Sequence, residues 1–134
     1  MKRILVIDDE PSIGKALTLG LSSNEMEVDV AEDGASGVRL GCEKHYDILI
    51  ADLCLPDLDG LEVIQRIRTH CPGIISIVIT GNPSRESFDK AAEHCVCAYL
   101  EKPLDMMSLK DAIRQGLERK LAKGENGGAS EPLH

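Results

Sequence analysis

Four short apolar runs in this sequence each end in a polar residue of a different kind. Ile4 to Ile7 leads into Asp8 and Asp9, Ile48 to Ala51 into Asp52, Ile74 to Ile79 into Thr80, and Ala98 to Leu100 closely into Lys102. If these runs are neighbouring parallel strands, three carboxylates, a hydroxyl and an ammonium meet at one edge of one sheet. That set suits a hard cation and a phosphoryl group. Carboxylates so crowded repel one another by about 4 kcal/mol per pair at about 4 Å and an effective dielectric near 20, unless a cation joins them. Mg2+ fits best, because it takes oxygen ligands and is held by one or two carboxylates together with phosphate oxygens. No glycine-rich phosphate loop follows the first run, which argues against a bound nucleotide. What remains is chemistry on a carboxylate: an aspartate attacks phosphorus while a metal and a lysine stabilise the transferring group.

Each residue also has a bland explanation. Asp8, Asp9 and Glu10 could form an acidic loop with one side chain capping a helix, Asp52 and Thr80 could sit in turns, and Lys102 could be a solvated charge. Their convergence depends on the elements that carry them. Strand-like and helix-like patterns alternate five times. Pro11 suits a helix first turn before Ile13, Leu17 and Leu21; Ala35, Val38 and Cys42 mark a second helix, and Val63, Ile64, Ile67 and Cys71 a third. Phe88, Ala91, Ala92 and Cys95 mark a fourth, and Leu109, Ile113, Leu117 and Leu121 a fifth. These stripes predict core faces.

The runs Ile4 to Ile7, Ile48 to Ala51 and Ile74 to Ile79 are apolar on both faces apart from Ser76, as strands covered by helices on both sides must be. Met26, Val28 and Val30 alternate with acidic residues, and the last run is short, so both read as edges. Right-handed crossovers then favour an α/β fold: a doubly wound, five-stranded parallel sheet of order 2-1-3-4-5 in a flavodoxin-like three-layer sandwich with five helices. Its switch point lies between the first and third strands, where Asp8, Asp9 and Asp52 would gather.

A chain of 134 residues suits one domain. A net charge of -8 argues against direct nucleic-acid binding, which needs clustered Lys and Arg. No apolar stretch is long enough to span a membrane and no signal-peptide pattern leads the chain, so a cytoplasmic protein with no membrane partner is expected. The five cysteines, Cys42, Cys54, Cys71, Cys95 and Cys97, are odd in number and read mostly as reduced thiols on apolar faces. His94, Cys95 and Cys97 match no usual zinc spacing.

Ile4-Leu5-Val6-Ile7-Asp8-Asp9-Glu10, Asp52-Leu53-Cys54-Leu55-Pro56 with Asp59-Gly60, Ile79-Thr80-Gly81, and Tyr99-Leu100-Glu101-Lys102-Pro103 together resemble the receiver domain of bacterial two-component response regulators. The likeness runs from about Lys2 to about Lys120. It implies that Asp52 is the phosphoacceptor, Asp9 the main metal carboxylate with Asp8 supporting it partly through water, and the Cys54 carbonyl a further ligand. Asp52 also belongs to that metal set. Thr80 and Lys102 would contact phosphoryl oxygens, and Tyr99 would be the aromatic switch. A sensor histidine kinase or phosphotransfer protein would supply the phosphoryl group. The face of the fourth helix, fifth strand and fifth helix would then change shape, and a homodimer could form through it. Such a protein catalyses its own phosphorylation and dephosphorylation without being a conventional turnover enzyme.

Some positions depart from the family's pattern. Cys95 stands where a glycine commonly follows the fourth helix. A left-handed cap there would cost about 1 to 2 kcal/mol, so a different or later helix end is expected. Pro83 stiffens the loop after Thr80. The Lys102-Pro103 bond is expected to be cis from the resemblance, and because the chain must leave a short strand, aim Lys102 at the site and enter a helix within a few residues. Two alternatives use the same residues. A degenerate receiver that only binds proteins would lack one of the acidic, hydroxyl or lysine positions, and an aspartyl-nucleophile phosphatase would show Asp-x-Asp after the first strand and an added cap. The receiver is expected over residues 1–121, with 122–134 a flexible polar tail or linker.

Overall fold

The computed structural model describes residues 1–126, with side chains to residue 122. Elements alternate throughout: β1 (Lys2–Ile7), α1 (Pro11–Leu21), β2 (Met26–Ala31), α2 (Gly34–Glu43), β3 (Ile48–Asp52), α3 (Gly60–His70), β4 (Ile75–Thr80), α4 (Arg85–Glu93), β5 (Ala98–Glu101) and α5 (Met106–Asn126). All strand pairs are parallel and the order is β2-β1-β3-β4-β5. The central strands are apolar over Ile4–Ile7, Ile48–Ala51 and, Ser76 apart, Ile75–Ile79 because successive residues face opposite covered layers. Ile4 and Val6 join Ile48, Ile50, Ile77 and Ile79 beneath Leu17, Leu109 and Ile113 of α1 and α5. Leu5 and Ile7 join Leu49, Ala51 and Val78 beneath Ile64, Ile67 and Ala91 of α3 and α4.

Register fixes the chemical edge. Ile7 pairs with Ala51, and Asp52 with Ile79, so Asp8, Asp52 and Thr80 emerge at one end of three adjacent strands. Lys102 follows β5 at the same end, and its N–H donates to the Thr80 carbonyl at 2.8 Å.

Several packing expectations need correction. In α2 the buried residues are Gly34, Gly37 and Gly41, while Ala35 and Cys42 are exposed. A Cβ at Gly37 would collide with Ile7, so this helix lies on the sheet through its backbone. All five cysteines are free thiols, but Cys42, Cys54 and Cys95 are exposed; only Cys71 is buried, and Cys97 is partly so. Leu121 is exposed as well, because α5 runs past the sheet. This helix continues to Asn126 and takes in the first residues of the 122–134 stretch; residues 127–134 lie outside the described residues.

The end of α4 is also a correction. Cys95 adopts the left-handed conformation, with φ 56°. The Cys95 N–H donates to Ala92 O at 3.1 Å and the Val96 N–H to Ala91 O at 3.4 Å, closing a Schellman motif. Burial of Val96 beside Ala91 supports this turn without a glycine. The His94 carbonyl accepts a hydrogen bond from Arg68 of α3, which ties the same end down.

Candidate functional site

Asp8 and Asp52 are 1% and 4% exposed, so the site is built of carboxylates largely withdrawn from water. The Asp52 Oδ1 accepts the backbone N–H of Cys54 at 2.9 Å, and its Oδ2 lies 2.8 Å from Lys102 Nζ. The first contact fixes the carboxylate plane. The second faces its other oxygen toward the mouth. Asp8 Oδ1 accepts the Glu10 N–H at 2.9 Å, and Asp8 Oδ2 lies 2.9 Å from the same ammonium. That second contact is an ion pair by distance only, since the buried Asp8 Oδ2 has no partner in hydrogen-bonding geometry.

Burial pushes the Asp8 carboxyl above its ordinary value, and the Glu10 N–H and the Lys102 ammonium only partly counter it. For Lys102, burial opposes the charge. The contacts with Asp52, Glu10 and Asp8 outweigh it and hold the ammonium above the ordinary lysine range.

Asp59 caps α3 by accepting the Leu61 N–H at 2.8 Å. A Cβ on the next residue, Gly60, would run into the Asp52 carbonyl, so only glycine lets α3 start so close to the third strand's end. Thr80 is buried and its Oγ1 accepts the Asn82 N–H at 3.0 Å, so the hydroxyl caps a turn at the mouth. Tyr99 is partly buried. Its hydroxyl accepts the Ser84 N–H at 3.2 Å and shares a 2.5 Å hydrogen bond with Ser87 Oγ, and its ring packs edge-on against Phe88 of α4 at 5.4 Å. A pocket of about 220 Å³ separates Thr80 and Cys54 from Ser84, Ser87 and Lys90. The Lys102-Pro103 peptide bond is cis.

The structure therefore brings Asp8, Asp52 and Lys102 into contact and places Thr80 and Cys54 at the same edge. Asp9 is exposed in the adjoining loop, outside the tight carboxylate group. The third member of that group is Glu10, whose oxygen lies within 4.8 Å of those of Asp8 and Asp52. From the sequence Glu10 read only as part of an acidic loop before the first helix. It is the N-cap residue of α1, but its side chain makes no cap bond.

A doubly wound α/β domain with buried carboxylates at the sheet's switch point belongs to the class whose ligands bind in the crevice beyond the strand ends. Comparison with known proteins narrows this class. The response regulator receiver domain matches residues 4–114, and the chain belongs to that family. It is 34% identical over 116 residues to the transcriptional regulatory protein GlrR of Escherichia coli K12, covering 87% of this chain and 26% of that protein. It is 35% identical over 121 residues to the response regulator ArlR of Staphylococcus epidermidis, covering 89% and 54% respectively. The chain thus spans between about a quarter and about half of these relatives' length. A CheY-like receiver domain protein from Methanospirillum hungatei JF-1 superposes with a TM-score of 0.86 at 26% identity, covering 92% of this chain and 98% of the other. The signal receiver domain of an HD domain-containing protein from Pseudomonas fluorescens Pf-5 gives 0.83 at 30% identity, covering 90% and 98%. Receiver domains serve two-component phosphorylation switches, bind Mg2+ at an acidic pocket and meet histidine kinases or phosphotransfer proteins. Among the described residues, no helix is long and apolar enough to cross a membrane.

Proposed function

We propose that this chain is a switch thrown by phosphorylation of Asp52, taking its phosphoryl group from the phosphohistidine of a kinase or phosphotransfer protein. The observation that carries this reading is the Asp52 carboxylate itself, buried, held through Oδ1 by the Cys54 N–H and facing Lys102 through Oδ2. An Asp52 oxygen attacks phosphorus, the phosphorus–nitrogen bond to the donor imidazole breaks, and an acyl phosphate forms. Lys102 stabilises negative charge on the phosphoryl oxygens, and Thr80 donates its hydroxyl to one of them.

The site also suits Mg2+. Asp8 Oδ2 is a buried oxygen lacking a hydrogen bond among three crowded carboxylates, a donor set for a hard cation. Asp8 and Asp52 would hold the ion, with Asp9 approaching from the exposed loop and the Cys54 carbonyl contributing. When bound, Mg2+ neutralises charge on the carboxylates and the phosphoryl group. Thr80, drawn toward the phosphoryl group, leaves its turn at Asn82 and opens space for Tyr99. Tyr99 is fastened to the start of α4, so its movement reshapes the face of α4, β5 and α5. Binding of a downstream target or a second copy is proposed for that face, and the chain then hydrolyses its own acyl phosphate.

Incubation with acetyl phosphate and Mg2+ should add one phosphoryl mass, absent in Asp52→Asn and after chelation. An undiminished adduct in Asp52→Asn would overturn the assignment.

A further inference from the structure

Lys102 has three N–H donors, and each faces a carboxylate: Asp52 Oδ2 at 2.8 Å, Glu10 Oε1 at 2.8 Å and Asp8 Oδ2 at 2.9 Å. The partners differ in solvation. The Asp8 and Asp52 side chains are 0% and 5% exposed, whereas that of Glu10 is 56% exposed at the mouth. Glu10 reaches Lys102 across 92 positions of sequence rather than capping its own helix.

We infer that Glu10 is a positioning residue that holds the Lys102 ammonium against Asp52 at rest, and that this hold must be released before Lys102 can engage a phosphoryl oxygen. The inference rests on Asp52 being the phosphoacceptor. Two donors are hydrogen-bonded, to Asp52 and Glu10, and the ammonium is also held 2.9 Å from Asp8 Oδ2 as an ion pair, so a phosphoryl oxygen enters in competition with these carboxylates. Glu10 is the one most easily displaced, because water takes over its charge while the other two are buried. Its negative charge at the mouth also opposes an anionic phosphodonor. Both effects act in one direction, so Glu10 slows phosphorylation. Asp8 Oδ2, buried and without a well-aligned donor, shows that this resting arrangement does not satisfy the site by itself.

The test reads Lys102 directly. The intact chain is treated with an amine-acetylating ester in the presence of a chelator and without phosphodonor, and the Lys102 peptide is followed by mass spectrometry. Glu10→Gln should acetylate Lys102 about fivefold faster, the size expected for losing an ion pair with one partner half in solvent. The exposed Lys110 and Lys120 serve as internal references. The same variant should take up phosphoryl groups from acetyl phosphate with Mg2+ faster than the unaltered chain. An unchanged Lys102 rate in both Glu10→Gln and Glu10→Ala overturns the inference. A rise shared equally by Lys110 and Lys120, or faster acetylation with Asp52 phosphorylated but no faster than in the unaltered chain, overturns it too. The footprint needs no phosphoryl transfer: if Lys102 responds to Glu10 while Asp52 never gains a phosphoryl group, the Glu10–Lys102 contact stands and the switch reading fails.

Discussion

The surroundings of Asp8 work against the ionised form of its carboxyl. Burial raises its pKa, and the Glu10 N–H and Lys102 recover only part of that effect. The folded chain therefore holds a proton on Asp8 more tightly than the unfolded chain does. The ionised form costs stability at neutral pH, and the cost fades as pH falls through the folded value toward the ordinary carboxylate range. Asp8→Asn should raise the free energy of unfolding at neutral pH by about 1 kcal/mol, an advantage that narrows near about pH 4. Urea denaturation at the two pH values checks this, and calorimetry should show weaker Mg2+ binding by the same variant. An advantage that persists in full at the lower pH would contradict the account. Lys102 behaves oppositely: its contacts stabilise the fold below the ordinary lysine value, and that contribution is lost as pH rises through the raised one.

At the scale of elements, the end of α4 stores strain in one residue. A non-glycine residue in the left-handed region costs about 1 to 2 kcal/mol, and glycine's greater freedom in the unfolded chain returns about 0.5 to 1. Cys95→Gly should therefore stabilise the domain by about 0.5 to 1 kcal/mol in chemical denaturation, and a loss would mean the cap is unstrained. Cys95 was legible as a departure from a pattern, but its outcome was not, because Val96 burial and Arg68 decide it from outside the helix. The three central strands were the most legible part: buried on both faces, they stand out as apolar runs whose ends name Asp8, Asp52 and Thr80 directly. Helix α2 was read poorly, since Gly34, Gly37 and Gly41 bury backbone and leave no hydropathy signal. Glu10 escaped for a similar reason. Its role is set by a lysine that arrives only when β5 takes its place in the sheet.

Across the whole molecule, the loop after Asp52 is tied to distant parts of the chain. Asp57 Oδ1 accepts the Gly34 N–H at 2.7 Å and Oδ2 the Ala35 N–H at 2.9 Å, so one exposed carboxylate joins the β3–α3 loop to the start of α2. Hydrogen bonds from Ala35 and Gly34 hold its pKa below the ordinary value. Its contribution is present above that ordinary value and lost as pH falls through the depressed one. Asp57→Asn should lower the melting temperature at neutral pH and leave a shallower acid decline; equal acid sensitivity in both chains would remove Asp57 from the account. The two tyrosines, one bonded to β2 and one in β5, divide the tyrosine signal of a chain that has no tryptophan. Tyr46 is 1% exposed and its hydroxyl donates to Asp29 Oδ2 at 2.6 Å, fixing that ring within the core. Tyr99 alone sits on the joint between β5 and α4. The near-ultraviolet dichroism of the tyrosines is consequently a local instrument, an optical needle mounted on the β5–α4 joint and read against a twin locked in the core.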